Sequence, residues 1–341
     1  MLKIFCLFSV FPVFITTVDA QVLSEKQPAG ILFYNVENFF NPSLNKKYDD
    51  DEFTPEGARR WTYYRKKRKQ NNIARVILNA GKWNPPVLVG LCEVEDRKVL
   101  NDLVWETGLH NLGYYIVHFE SSDSRGIDVA LLYRKDRFKV LNSRPAHVQL
   151  YGKQRDTRDI LYVCGVLEGT DTLHIMVNHW PSRWGGEGTT RNKRIAAART
   201  LRSLCDSVLA ISPFAKIVAM GDFNDAPDDE SLMLFSEPFE NKEENCMINL
   251  GRYFLGPVPG TIKHQYEWSI FDQILVSSWL CPGKVRSGFH IDEMKMNAVD
   301  LPFLFEDDPK YPGKRLFRTF VGYKYTGGYS DHLPVMIELK K

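Results

Sequence analysis

The stretch Ile217-Val-Ala-Met-Gly-Asp-Phe-Asn-Asp225 decides how the rest of the chain is read. Four apolar residues, Ile217 to Met220, predict a short buried strand that Gly221 breaks. Asp222 and Asn224 follow, two apart, just past the strand's end. On an extended backbone residues i and i+2 point the same way, so a carboxylate and an amide face one spot. Ligands bind at the C-terminal ends of strands in α/β sheets. A carboxylate can take or place a proton, and an amide can donate to an anionic oxygen. Alone, Asp-x-Asn after a strand is more often a turn closed by an Asx hydrogen bond than a site. The other strand ends decide between the two.

Upstream, Ile31 to Val36 reads as a strand closing on Asn35, Glu37 and Asn38, and Val87 to Cys92 as a strand followed by Glu93. Leu173 to Val177 runs into Asn178-His179-Trp180-Pro181, and Ser124-Arg125-Gly126 precedes the strand Ile127 to Tyr133. Downstream, the strand Phe271 to Val276 carries Asp272 near its start, and Ser330-Asp331-His332 leads into a last strand, Leu333 to Leu339. Further strands are expected at Tyr114 to Phe119, Phe138 to Leu150 and Ile160 to Leu167. Helices are expected at Asp96 to Leu109 and Thr189 to Ala210, the latter with Ile195, Ala198, Leu201, Cys205 and Val208 on one face. Residues 240–260 are irregular, and 296–318 carry no pattern that assigns them.

Each polar strand end has a plain structural explanation singly. Together Asn35, Glu93, His179, Asp222, Asn224, Asp272, Asp331 and His332 fit one cleft. Hard oxygen ligands (Asn35, Glu93, Asp331) suit Mg²⁺ or Mn²⁺, and cysteine is absent from the set, which argues against structural zinc. Histidines and an asparagine stabilise negative charge that develops in a transition state. A carboxylate beside them positions water. That combination suits phosphoester hydrolysis.

The order Asn35-Val-Glu-Asn38, Glu93, Asn178-His-Trp-Pro-Ser182, Gly221-Asp-Phe-Asn224, Asp272 and Ser330-Asp-His332 resembles the endonuclease/exonuclease/phosphatase superfamily, from about Ile31 to Leu339. The resemblance implies a deoxyribonuclease I-like α/β/β/α sandwich of four layers, with the active site at one edge. It implies Glu93 as principal metal ligand supported by Asn35 and Asp331, and Asp222 as the carboxylate that aligns or deprotonates water. Asn224 would bind the phosphate, and Asp272 would orient His332 on it. His179 stands where abasic-site endonucleases have tyrosine. Arg125 is similar to a phosphate-contacting arginine, and Glu37 is left without a role. Phospholipid and sugar or inositol phosphates are alternative substrates, and a decayed binding module is the alternative outside enzymes. No membrane-inserting hydrophobic hairpin stands out.

The 341 residues with net charge +2 are an ordinary globular composition that permits an anionic substrate without demanding one. Lys3, the apolar run Ile4 to Val18 and Val18-Asp19-Ala20 predict a signal peptide at 1–20, cleaved before Gln21, hence a secreted or periplasmic protein. The run is short for a membrane anchor and Pro12 interrupts it. Residues 21–341 are read as one catalytic domain, a monomer whose partner is a phosphoester substrate, nucleic acid foremost, with no stable membrane insertion. Five cysteines remain after cleavage, irregularly spaced; Cys246 and Cys281 are the candidates for a disulfide. Arg59 to Gln70, dense in Arg and Lys with Trp61, Tyr63 and Tyr64 between, reads equally as the wet face of a helix or as a nucleic-acid surface. Asp49-Asp-Asp-Glu52 lacks calcium-loop spacing and reads as a solvated loop.

Overall fold

Period-two alternation builds two large mixed sheets whose apolar faces meet. The computed structural model describes residues 27–43, 47–150, 157–183, 185–236, 246–284 and 287–341; the expected leader at 1–20 lies outside them. Its first strands are β1 (Ala29–Phe39), β2 (Leu88–Val94), β3 (Tyr114–His118) and β4 (Asp128–Arg134). β5 (Phe138–Ala146), β6 (Ile160–Leu167), β7 (Asp171–His179) and β8 (Lys216–Asp222) follow. One sheet runs Phe254–Leu255, Met296–Ala298, Val335–Leu339, β1, β2, β4, β3. The other runs β5, β6, β7, β8, Asp272–Ser277, Met247–Asn249. β1 is parallel to β2 and β7 to β8, while β8 and Asp272–Ser277 are antiparallel.

Ile31 and Phe33 of β1 face Val218 and Met220 of β8 and Ile274 and Val276 of the next strand, in a core between the sheets. The alternate residues Leu32 and Tyr34 pack outward, under Ile73, Val76 and Ile77 of α1 (Tyr63–Ala80) and Val99 and Leu103 of α2 (Arg97–Trp105). On the far side Ile217 and Ala219 pack under Ala198, Leu201 and Cys205 of α3 (Glu187–Ile211). The layers are therefore helix, sheet, sheet, helix, as the resemblance implied. Each fully buried Ile, Leu, Val or Phe contributes roughly 1.5–3 kcal/mol of transfer free energy.

Several expected boundaries move. β8 continues through Gly221 to Asp222 instead of breaking. A Cβ at Gly221 would come within 2.6 Å of Asn178 Cβ and backbone oxygen, so the glycine is what lets β7 and β8 stay paired there. α2 stops at Trp105 and the chain continues as a 3₁₀ turn, Gly108–Leu112, while β5 ends at Ala146. The five described cysteines are all free thiols, so Cys246 and Cys281 are not bonded. No helix among the described residues is long and apolar enough to cross a membrane.

Part of the basic stretch is built into the fold, while Arg60, Tyr63, Tyr64, Lys67 and Arg68 stay exposed. Thr62 caps α1 by accepting from Arg65 N. Buried Lys66 pairs with Asp102, and Lys67 reaches Glu106 at 2.9 Å. Lys69, fully buried, donates to Thr319 Oγ1 and the Tyr329 carbonyl and lies 3.9 Å from Glu37. Arg65 lies over the Tyr325 ring at 4.3 Å.

Candidate active site

The same alternation that fills the core delivers polar groups to one rim. His179 continues the inward row of Ile175 and Val177, Asp222 that of Val218 and Met220, and Asp272 that of Ile274 and Val276. The register places His179 opposite Asp222 and Asp222 opposite Asp272, so the three stand in one row across adjacent strands. From the facing sheet, Asn35 continues the inward row of Ile31 and Phe33. Both sheets thus end their apolar faces in the same polar seam.

Glu93 does not follow this parity. Counting from Leu91, it belongs to the outward face. A register shift between Cys92 and Val94, with Glu93 itself at φ 61°, turns it back toward Asn35. β1 is irregular at the matching place, with Glu37 at φ 51° and Asn38 at φ 55°, and Asn224 beyond β8 sits at φ 51°. Left-handed backbone at non-glycine residues is costly and collects at functional sites.

Three nitrogens converge on Asp222 Oδ2: Asn35 Nδ2 at 3.0 Å, His179 Nε2 at 3.7 Å and His332 Nε2 at 3.8 Å. The other oxygen, Oδ1, accepts from Asn224 N at 3.0 Å, and the Asn224 amide donates to the Trp180 carbonyl at 3.0 Å. His332 Nδ1 lies 2.7 Å from Asp272 Oδ2. Burial pushes the Asp222 carboxyl up to about 6 against the pull of His332, with Asp272 adding to the rise. Burial opposes a charge on His332, but Asp272 and Asp222 beside it raise its pKa well above the usual histidine range. His179 is held neutral by burial and by the Arg158 and Arg125 guanidiniums, and its buried Nδ1 has no hydrogen-bond partner among the described residues.

The expected metal ligands are arranged less simply. Glu93 Oε2 accepts from Asn38 N at 2.8 Å and Oε1 from Asn35 Nδ2 at 3.3 Å, with His179 Nε2 3.8 Å away. Asn35 accepts from Glu37 N at 3.0 Å, so it turns its amide hydrogens, not its oxygen, toward Glu93 and Asp222. Asp331 has a counter-ion, Arg318 Nη2 at 2.7 Å, and Arg318 Nε lies 3.3 Å from Glu37 Oε1. Asp222, Asp272 and His332 offer ligand atoms within 4.8 Å of one another, a grouping that could hold a metal ion. The 2.7 Å bond from His332 Nδ1 to Asp272 is instead the geometry of an acid orienting a histidine.

Arg125 is the outlying member of the expected set. Its side chain is 45% exposed, 3.6 Å from Asp123 Oδ1, and the structure shows no hydrogen bond from it to the central residues. The buried arginine here is Arg158, which donates to Asp123 Oδ2 at 3.0 Å and the Trp180 carbonyl at 2.7 Å. The sequence did carry a signal for it. A residue just before β6 must land beside the end of its antiparallel partner β7, where His179 stands. Arg318 and Lys69 were also missed, the first in the unassigned stretch and the second inside the basic run.

The model of the Endonuclease/Exonuclease/phosphatase family matches residues 30–341. No curated protein matches the chain. Among solved structures, a Bacteroides thetaiotaomicron protein of that family is 16% identical with a TM-score of 0.55, covering 92% of this chain and 98% of its own. A mannosyl-6-phosphatase from the same species is 15% identical, TM-score 0.57, covering 92% and 100%. The human Nocturnin catalytic domain with bound sulfate is 15% identical, TM-score 0.54, covering 92% and 94%. At these identities the likeness shows a shared fold.

Proposed function

Since the chain belongs to the endonuclease/exonuclease/phosphatase family, we propose that it hydrolyses phosphoester bonds by water activated at Asp222. The observation that carries the proposal is the convergence of Asn35, His179 and His332 on one oxygen of Asp222, with Asp272 behind His332. In its ionised form Asp222 accepts a hydrogen bond from a water molecule and aims its lone pair at phosphorus. His332, protonated and oriented by Asp272, places positive charge beside the phosphoryl oxygens. Neutral His179 donates a hydrogen bond without adding charge. Asn224 keeps one amide hydrogen beyond its bond to Trp180 for a phosphoryl oxygen. Glu93 would hold Mg²⁺ or Mn²⁺ through its carboxylate, a hard oxygen donor, with Asp331 as a further carboxylate and Asn35 bonded to Glu93 through its amide hydrogens. When bound, the ion supplies electrophilic stabilisation of the phosphoryl group.

The use of Lys66 and Lys69 inside the fold favours a compact phosphoester over a long polyanion. A mannosyl-6-phosphatase among the structural neighbours is in keeping with that reading. A nuclease or phosphodiesterase is the second reading, supported by the exposed Tyr63 and Tyr64 beside exposed Lys67 and Arg68 at the start of α1. The Lys3-led apolar start and Val18-Asp19-Ala20 support export of either enzyme. A screen of plasmid DNA, RNA, sphingomyelin, bis-p-nitrophenyl phosphate, and sugar and inositol phosphates with Mg²⁺ or Mn²⁺ tests the proposal. Inertness toward every phosphoester would overturn it.

A further inference from the structure

Beside Asp331 the chain builds a cavity whose other lining residues the chemistry above does not use. Two hairpins form its sides, Ile262–His264 with Glu267–Ser269 and Phe305–Asp307 with Lys314–Leu316. Lys263 ties them together, with Nζ 2.8 Å from Asp308 Oδ2 and 3.1 Å from the Lys314 carbonyl, both side chains buried. Asp308 Oδ1 accepts from Lys310 N and Tyr311 N at 3.0 and 3.1 Å, which fixes the turn carrying Tyr311. The space between has a volume of about 170 Å³, and Arg318 and Asp331 complete its lining.

The lining mixes an aromatic ring (Tyr311), an amide (Gln265), guanidiniums (Arg315, Arg318) and a carboxylate (Asp331). Three of its four cations are neutralised, Lys263 by Asp308, Arg315 by Glu306, and Arg318 by Glu37 and Asp331, while exposed Lys310 stands over one side of the Tyr311 ring at 5.1 Å. A second phosphate would meet Lys310 alone as free positive charge here. The volume falls below the roughly 300–1,000 Å³ of drug-sized pockets, so it admits one small ring and not a polymer segment. Interleaved donors and acceptors with one aromatic face match a neutral ring bearing several hydroxyls. Such a ring offers hydroxyls to guanidinium, amide and carboxylate, and its CH face to the tyrosine.

We propose that this cavity seats a single sugar ring carrying the phosphoester that the Asp222 centre hydrolyses. The proposal rests on the phosphoesterase reading and names its substrate class. Tyr311→Ala and Gln265→Ala lie outside the catalytic set, and Tyr311→Phe keeps the ring as a folding control. Rates are measured on glucose, mannose and fructose phosphates and on p-nitrophenyl phosphate, which lacks hydroxyls. Binding of methyl glucoside and methyl mannoside is followed by NMR line broadening, which needs no turnover. The expected result is a loss of about tenfold or more in kcat/KM on sugar phosphates for Tyr311→Ala and Gln265→Ala, against about twofold or less on the aryl ester. Tyr311→Phe should stay near wild type, and glycoside broadening should vanish in Tyr311→Ala. Equal losses on both substrate types, or aryl-ester turnover with no sugar phosphate hydrolysed, would overturn the subsite while leaving the phosphoesterase reading intact. Glycoside binding lost in Tyr311→Ala by a protein that hydrolyses no phosphoester would uphold the ring site and overturn the reading beneath it. Absence of glycoside binding together with no selective kinetic loss overturns the subsite outright.

Discussion

His332 Nδ1 lies 2.7 Å from Asp272 Oδ2, in a register where Asp272 pairs across the sheet with Asp222. The histidine arrives from a different segment, and Ser330 fixes that approach by donating to the Asn35 carbonyl at 2.7 Å and accepting from His332 N at 3.1 Å. The contact therefore joins the two sheets at the rim, and it makes Asp272 and His332 one hydrogen-bonded unit.

Groups that act as a unit lose their effect together. Asp272→Asn and His332→Ala should each lower kcat by roughly 10²–10⁴, and the double variant should lose little more than the worse single. Steady-state kinetics on the best substrate from the screen decide it. Multiplicative losses would show that the two work separately.

Asp222→Asn keeps the shape of the side chain but removes the charge that holds water, and turnover should fall by roughly 10²–10⁴ with the fold retained. Because its carboxyl is raised to about 6, the wild-type rate should fall about tenfold per pH unit below that value and level off above it. The stability effect has the opposite sense. With a folded pKa of about 6 above an unfolded value near ~3.9, the carboxyl's contribution is present at low pH and is lost as pH rises through that window. A rate profile flat from pH 4 to 7 would exclude Asp222 as the ionised partner of water.

Chelation tests the role given to Glu93. Activity should disappear in excess EDTA and return with Mg²⁺ or Mn²⁺, and Glu93→Gln should need a higher metal concentration for half-maximal rate. Full activity of the wild type in chelator would sink that assignment.

Lys67 and Lys69 sit two apart on α1 and should differ sharply. Lys67 pairs with Glu106 in solvent, and such pairs are worth about 0–1 kcal/mol. Lys69 is buried against Glu37, Thr319 and Tyr329, and removing one partner of a buried charge pair costs roughly 3–5 kcal/mol. Thermal unfolding should show Lys69→Met well below wild type and Lys67→Ala nearly unchanged. Equal melting temperatures would mean that Glu37 finds its counter-charge in Arg318 alone.

The large strands were legible because burial on both sides leaves four or more apolar residues in a row, as at Ile217–Met220 and Val87–Cys92. The polar row of His179, Asp222 and Asp272 was legible for the same reason, since polar residues that interrupt such runs stand out. The stretches 254–269 and 296–329, on either side of the legible strand Asp272–Ser277, were not. Their strands are two or three residues long, as at Phe254–Leu255 and Phe320–Val321, too short for a period to show. Arg318 lies there, so the counter-ion of Asp331 could not be foreseen. The basic run at 59–70 looked uniform because composition does not distinguish Lys69, turned inward, from Lys67, turned outward two positions earlier. Helical phase against Ile73 and Val76 does, since Lys69 lies four residues before Ile73.

The short hairpins at 262–269 and 305–316 have a consequence for how such an enzyme can diversify. They hang between two strands of the frame, Asp272–Ser277 and Val335–Leu339, or just ahead of the first, and they supply none of Asn35, Glu93, His179, Asp222 or Asp272. On the two proposals above, reaction and selectivity are written in separate parts of the chain. Exchanging the hairpins could retune which molecules are accepted while the hydrolytic row stays in place, and transplanting them onto a relative with the same frame would carry the preference along.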